Sequence, residues 1–283
     1  MPDPSRAVLI TGCSSGIGRA TALRLARADR PVWATARRLE DLSDLAAAGC
    51  RTLALDVTAE GSMRAAVGEI ERTAGAVGAL VNNAGYSQSG TIEQTPLELV
   101  RRQFETNVFG LIRLTQLVLP GMRRQSWGRI VNLGSMGGRL TFPAGGCYHA
   151  TKHALEAISD ALRFEVAGFG VYVTLIQPGL IRTGFSARAV RDWVPASDDS
   201  PYAPLEREAA RLTEQSYESG AWSKLAGEAD DVARVIEQAL EAKNPRPRYP
   251  VAPSARLLMT MRRTLGDRLW DAFLARYYPR PGR

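Results

Sequence analysis

At 283 residues, 45% hydrophobic and 23% charged, the chain has the composition of a soluble globular protein long enough for one large α/β domain or two small ones. Its formal charge of +7 argues for nucleic acid only until it is located: nine Arg against two Asp from Pro245 onward carry all of it, so the surplus belongs to a tail and no nucleic-acid role is expected. Three scattered cysteines (Cys13, Cys50, Cys147) and two histidines (His149, His153) argue against a metal site, and with no apolar run of membrane-spanning or signal-peptide length they point to reduced thiols in a cytoplasmic protein.

The apolar run 7–10 predicts a buried strand, which feeds a helix over 17–28 through Thr11-Gly12-Cys13-Ser14-Ser15-Gly16-Ile17-Gly18. Glycines allow a tight turn and close approach of backbone N–H groups, and the helix N-terminus suits a pyrophosphate. A second strand, 31–35, ends in Ala36-Arg37-Arg38. In a dinucleotide fold a carboxylate at this point binds the free ribose 2′-hydroxyl, whereas an Arg accommodates a 2′-phosphate, so Ala36 and Arg37 favour NADP(H) over NAD(H). Strand 51–55 closes on Asp56-Val57, and Thr58 is expected to cap the helix that runs to Arg72. Strand 79–81 ends in Asn82-Asn83-Ala84-Gly85, a small polar turn at a strand's carboxyl end, where ligands bind in open α/β sheets.

A long helical pattern over 97–124 buries Val100, Phe104, Val108, Leu111, Leu114 and Val118, and Asn107 interrupts it as a weak helix former that bends the helix or holds water. Strand 129–133 delivers Gly134-Ser135, and strand 171–176 ends in Gln177-Pro178-Gly179. Between them lies Tyr148-His149-Ala150-Thr151-Lys152. On a helix, Tyr148 and Lys152 share one face a turn apart. A free phenol, with a pKa of about 10, is a poor proton donor or acceptor near neutrality, and a fixed ammonium beside it is expected to lower that value. Cys147 reads as a packed thiol, and His149 and His153 as structural or solvated. Alternation this regular implies a parallel, doubly wound sheet with helices on both faces.

In Thr11-Gly12-x-x-x-Gly16-x-Gly18, Asn82-Asn83-Ala84-Gly85, Asn107, Ser135, Tyr148-x-x-x-Lys152 and Pro178-Gly179, the chain resembles the short-chain dehydrogenase/reductase family over roughly residues 7–253. The resemblance implies a Rossmann-type, seven-stranded parallel sheet in a single domain, a nicotinamide cofactor, and a tetrad falling on Asn107, Ser135, Tyr148 and Lys152. In it Tyr148 gives a proton to the developing alkoxide and Ser135 holds the same oxygen. Lys152 tunes Tyr148 and holds the nicotinamide ribose, and Asn107 positions a water. The implied cofactor contacts are Gly12, Ser14, Ser15, Gly16, Ile17, Gly18, Arg37, Asp56 and Val57 on the adenosine and phosphate side. Nearer the nicotinamide they are Asn83, Ala84, Gly85, Tyr148, Lys152, Pro178, Gly179 and Thr183.

The irregular segment at about 180–227 carries Phe185, Trp193, Tyr202, Tyr217 and Trp222 and, in this family, covers the substrate. With Met136, Leu140 and Phe142 it suggests a pocket for a bulky apolar carbonyl or alcohol, steroid-, retinoid- or polyketide-like, and the sequence is similar to the branch holding hydroxysteroid and retinol dehydrogenases. The aromatics alternatively pack the lid onto the body. Residues 254–283 form a basic extension of two short amphipathic helices broken at Gly266-Asp267. Its stripes, Leu257-Leu258-Met261-Leu265 and Leu269-Phe273-Leu274, dock on the chain's own fold or a sister subunit, or else meet an anionic membrane surface. A homodimer or homotetramer is expected. The rival to an enzyme is a non-catalytic NADP(H)-binding sensor or scaffold, against which the intact tetrad speaks.

Overall fold

Val, Leu, Ile and Ala in short unbroken runs are buried on both faces inside a parallel sheet. The computed structural model, which describes residues 3–191, 193, 197 and 199–282, puts the runs there. The strands are β1 (Val8–Ile10), β2 (Val32–Ala36), β3 (Arg51–Ala54), β4 (Ala79–Asn82), β5 (Gly128–Leu133), β6 (Val171–Pro178), β7 (Ile181–Arg182), β8 (Gly227–Glu228) and β9 (Arg248–Val251). Seven of them form one parallel sheet in the order β3-β2-β1-β4-β5-β6-β9, the doubly wound single-domain fold expected from the sequence. The other two, β7 and β8, pair with each other.

The helices are α1 (Gly16–Arg27), α2 (Ser43–Ala47), α3 (Glu60–Ala74), α4 (Leu97–Phe104), α5 (Gly110–Arg124), α6 (Gly146–Val166), α7 (Phe185–Arg191), α8 (Ala203–Glu218), α9 (Ala229–Glu241) and α10 (Pro253–Leu274). Successive strand residues face opposite layers. Val8 and Ile10 pack with Ala22 and Leu25 of α1 and Val232 and Ile236 of α9. Leu9 packs with Met63 and Ile70 of α3 and Leu114 and Val118 of α5. The sheet is thus covered on both faces, and its carboxyl edge is left for a site.

Two local expectations are corrected. The 97–124 pattern is not one α-helix: a π-helical turn, Glu105–Phe109, separates α4 from α5. Such a bulge shifts the register by one residue. It leaves Asn107 buried, its Oδ1 accepting from the Tyr86 N–H at 3.1 Å and its Nδ2 donating to Tyr86 O at 2.9 Å and Thr151 Oγ1 at 3.1 Å. Nor does Thr58 cap α3, whose N-cap is Ala59. The Thr58 hydroxyl and N–H both donate to Asp56 Oδ1, at 2.7 and 2.9 Å, so a local turn on the carboxylate wins over the cap. The break at Gly266 is present inside α10, at a φ of 62° that favours glycine. Of the segment 180–227, residues 192, 194–196 and 198 lie outside the described residues.

Candidate active site

The strand order reverses between β1 and β4, and the crevice beyond such a reversal is where open α/β sheets take their ligands. Gly12 and Gly16 hold φ values of 72° and 58°, and a Cβ on Gly12 would stand 3.0 Å from the Ala84 Cα. Only glycine fits such a turn at no steric cost. The first turn of α1 carries no acidic residue and its N-cap, Ser15, makes no side-chain hydrogen bond, so the leading N–H groups stay available to an anion. These features fit the pyrophosphate of a dinucleotide.

The turn after β4 braces this loop. Asn83 Nδ2 donates to Thr11 O at 2.8 Å and Gly12 O at 3.1 Å, while Thr11 Oγ1 accepts from the N–H groups of Asn83 and Ala84 at 3.0 and 2.9 Å. Arg38 is held by Asp41 through two hydrogen bonds of 3.1 and 2.6 Å, whereas the neighbouring Arg37 lines the cavity.

From the glycine loop a single cavity of about 950 Å³ extends to α6 and on to the end of α10. Every residue expected at the cofactor or at the chemistry lines it except Gly18 and Asn107. Gly18 is a packing position, where a Cβ would meet Gly12 O and Asn83 Nδ2 at 2.4 Å. Asn107 stands behind the wall, tying Tyr86 to Thr151 on α6.

Beside β5 three side chains converge. Ser135 Oγ accepts from the Gly137 N–H at 3.0 Å, which leaves its own proton free to donate. Tyr148 packs against His149 and Phe185, with ring centroids 5.6 and 5.7 Å away. Burial is the main influence on the Tyr148 phenol and pushes its pKa up, Tyr217 adds to the rise, and the Ser135 hydroxyl opposes it. This reverses the lowering expected from the Tyr-Lys spacing. Lys152 donates to Leu133 O at 2.7 Å, and its ammonium lies 5.7 Å from the Tyr148 ring centroid, over the ring. Burial brings Lys152 down to about 8. Tyr148 therefore keeps its proton at neutral pH, the state a donor needs.

His149, read from sequence as structural or solvated, lines the same cavity. Its Nδ1 accepts from the Phe142 N–H at 3.4 Å, and burial, with a smaller effect of His153, lowers its pKa from 6.5 to about 4. The unfolded chain therefore takes the proton first as pH falls. The stability that neutral His149 contributes is present in full above about pH 6.5 and is lost toward pH 4, by on the order of 3 kcal/mol. Denaturant titrations from pH 7 to 4.5 should give a shallower pH slope for His149→Gln than for the parent chain; equal slopes would refute this.

The far arm of the cavity is walled by residues of the segment 180–227 and of the tail. The β7·β8 pair joins the two ends of that segment, and Leu180 N–H donates to Ser254 Oγ at 3.0 Å, anchoring the start of α10 beside Gly179. Met136, Leu140, Leu180, Leu258 and Trp270 form one buried cluster, with Phe142, Tyr217, Trp222 and Phe273 packed against it. The tail thus docks on its own fold, where Leu258, Phe273, Leu274, Tyr277 and Tyr278 wall the cavity. The apolar stripe was visible in the sequence; the surface it covers was not.

A family profile described as short chain dehydrogenase matches residues 6–193. The chain is 33% identical over 274 residues to a 3-ketodihydrosphingosine reductase of Bacteroides thetaiotaomicron, covering 96% of this chain and 97% of that protein. It is also 33% identical over 275 residues to an NADPH-dependent 3-dehydrocapnine reductase of Ornithobacterium rhinotracheale, covering 94% and 95%. Among solved structures, a short-chain dehydrogenase from Streptomyces avermitilis superposes with a TM-score of 0.80 at 34% identity, covering 98% and 96% of the two chains. Sheet order, glycine turn, matched profile and near full-length relatives agree: the chain belongs to the short-chain dehydrogenase/reductase family, an oxidoreductase fold that binds a nicotinamide cofactor.

Proposed function

We propose that the protein is an NADP(H)-dependent oxidoreductase that interconverts a ketone or aldehyde and an alcohol on a bulky apolar substrate. The observation that carries this reading is the pair of hydroxyls of Ser135 and Tyr148, each still holding a proton, in one cavity with the glycine loop. When bound, the nicotinamide supplies the hydride. Tyr148 gives its proton to the substrate oxygen as charge develops there, and Ser135 donates a hydrogen bond to the same atom. Lys152, cationic below about pH 8 and fixed on Leu133 O, favours the phenolate that Tyr148 becomes. Asn107 is a positioning residue that holds Tyr86 and α6.

Arg37 supports NADP(H) as the cofactor, as does the NADPH in the name of one relative. The apolar wall of Leu180, Trp222, Leu258 and Phe273 supports a bulky substrate. We also propose a cytoplasmic protein, in keeping with its unpaired cysteines, and a homodimer or homotetramer, in keeping with Phe109 and Phe164, which stand 51% and 88% exposed. Light scattering that reads a monomer would refute the oligomer, and export of the full-length chain from the cell the location.

The function is tested by following NADPH loss with a panel of linear, cyclic and polycyclic ketones. Consumption with the larger apolar members is expected. Tight NADPH binding with no turnover on any ketone or alcohol would instead favour a sensor or scaffold.

A further inference from the structure

A buried phenol ordinarily finds a hydrogen-bond partner for its hydroxyl. Even where the bond is exposed, Tyr172 donates to Asn244 Oδ1 at 3.0 Å, Tyr202 donates to Glu93 Oε2 at 2.5 Å, and Tyr249 accepts from the Arg246 N–H at 3.0 Å. Tyr217, near the end of α8, packs against the cluster of Met136 and Leu180, the neighbours of Ser135 and Gly179, and it lines the cavity that holds Tyr148. Its hydroxyl makes no hydrogen bond among the described residues. Burial raises its pKa to about 12, so it stays a neutral donor, and its phenol is close enough to bear on the ionisation of Tyr148.

The carbonyl oxygen already has two donors, Ser135 and Tyr148, and a carbonyl has two lone pairs. A third hydroxyl in the same chamber has no work left on that atom. Around it the wall turns apolar, through Leu180, Leu212, Trp222, Leu258, Phe273 and Leu274. A chamber that sets a further hydroxyl near its catalytic pair and runs on into a wall rich in apolar side chains matches a ligand of the same pattern.

Resting on the oxidoreductase reading, we propose that Tyr217 is a substrate-recognition residue whose hydroxyl binds a second oxygen or nitrogen function next to the reacting carbonyl. The substrate class is then an amphiphilic ketone, an extended apolar chain with a hydroxyl or amine close to the C=O.

Tyr217→Phe removes one oxygen and keeps the ring that the cluster packs against. The experiment measures kcat/KM with NADPH for matched pairs of long-chain ketones, with and without a hydroxyl on the carbon next to the carbonyl. The parent chain is expected to prefer the hydroxylated member. Tyr217→Phe should lower its kcat/KM about ten-fold while leaving the plain ketone within about two-fold, since one neutral hydrogen bond is at stake. An equal loss on both members would make Tyr217 merely structural, and no loss on either would mean that its hydroxyl binds nothing; each overturns the proposal. If the parent chain reduces neither member of any pair, the oxidoreductase reading itself falls and takes this one with it. Activity without a polar preference overturns only the role of Tyr217.

Discussion

Tyr148→Phe should lower kcat by about 10³-fold while leaving NADPH affinity within about two-fold. The substitution deletes a proton donor and little else. The ring that packs 5.6 Å from His149 and 5.7 Å from Phe185 is retained, so the wall of the cavity keeps its shape. Lys152 keeps its hydrogen bond to Leu133 O, and the glycine loop lies at the other end of the crevice. What disappears is the proton that burial holds on the phenol through the neutral range. Ser135 remains as a donor to the substrate oxygen, but its hydroxyl can stabilise charge there without supplying the proton that completes the alcohol. The loss should therefore fall on kcat, with KM little changed, the pattern of an interaction made in the transition state. Cofactor titration by NADPH fluorescence and steady-state turnover on one ketone measure the two halves. Residual activity above about a tenth of the parent's would remove Tyr148 from the mechanism.

The same residue marks how far the amino-acid sequence could be read. Strands such as Val8–Ile10 and the Ala79-Leu80-Val81 part of β4 declare themselves because a doubly covered parallel sheet favours unbroken apolar runs. The glycine turn is legible for a similar reason, since positive φ at Gly12 and Gly16 is a backbone requirement written in residue type. The direction of the Tyr148 shift was not legible. Spacing puts Lys152 one turn away, but whether its ammonium reaches the phenol or a carbonyl on β5 depends on the fold, and here it takes Leu133 O. Desolvation then sets the direction of the shift, opposed by the Ser135 hydroxyl, while the ammonium stands 5.7 Å from the ring centroid.

Asn107 shows a second kind of loss. A π-helical turn inserts one residue into a helix without disturbing the apolar residues on either side enough to change the period, so the pattern 97–124 looks continuous. His149 and the tail show a third. A helical periodicity tells which side chains share a face but not what that face meets: His149 lines the cavity beside Phe142, and Leu258 and Phe273 line it because α10 docks on the cluster of Met136, Leu140 and Leu180. Local rules recovered the parts that local geometry dictates; the long-range contacts that finish the site leave no short-range signature.

The second large effect concerns the cofactor. Ala36→Asp combined with Arg37→Leu should lower kcat/KM with NADPH about 100-fold and leave the value with NADH unchanged or raised. Two arginines follow β2, and the structure distinguishes them. Arg38 is engaged by Asp41 through both Nε and Nη2, at 3.1 and 2.6 Å. Arg37 lines the cavity and has no ion-pair partner among the described residues, so its guanidinium is the one available to a 2′-phosphate. Charge-assisted hydrogen bonds of that kind contribute about 1.5–3 kcal/mol, which corresponds to about 10- to 100-fold. A carboxylate at position 36, at the end of β2 and on the cavity wall, adds repulsion toward the phosphate and an acceptor for the free ribose hydroxyl of NADH. The control is Arg38→Leu, which breaks an exposed pair with Asp41 and should shift the NADPH to NADH ratio by less than about three-fold. If the double variant keeps the parent's ratio, the 2′-phosphate is not read at the end of β2. If Arg38→Leu moves the ratio as far as the double variant does, the reader is Arg38, and the Asp41 pair must open to release it.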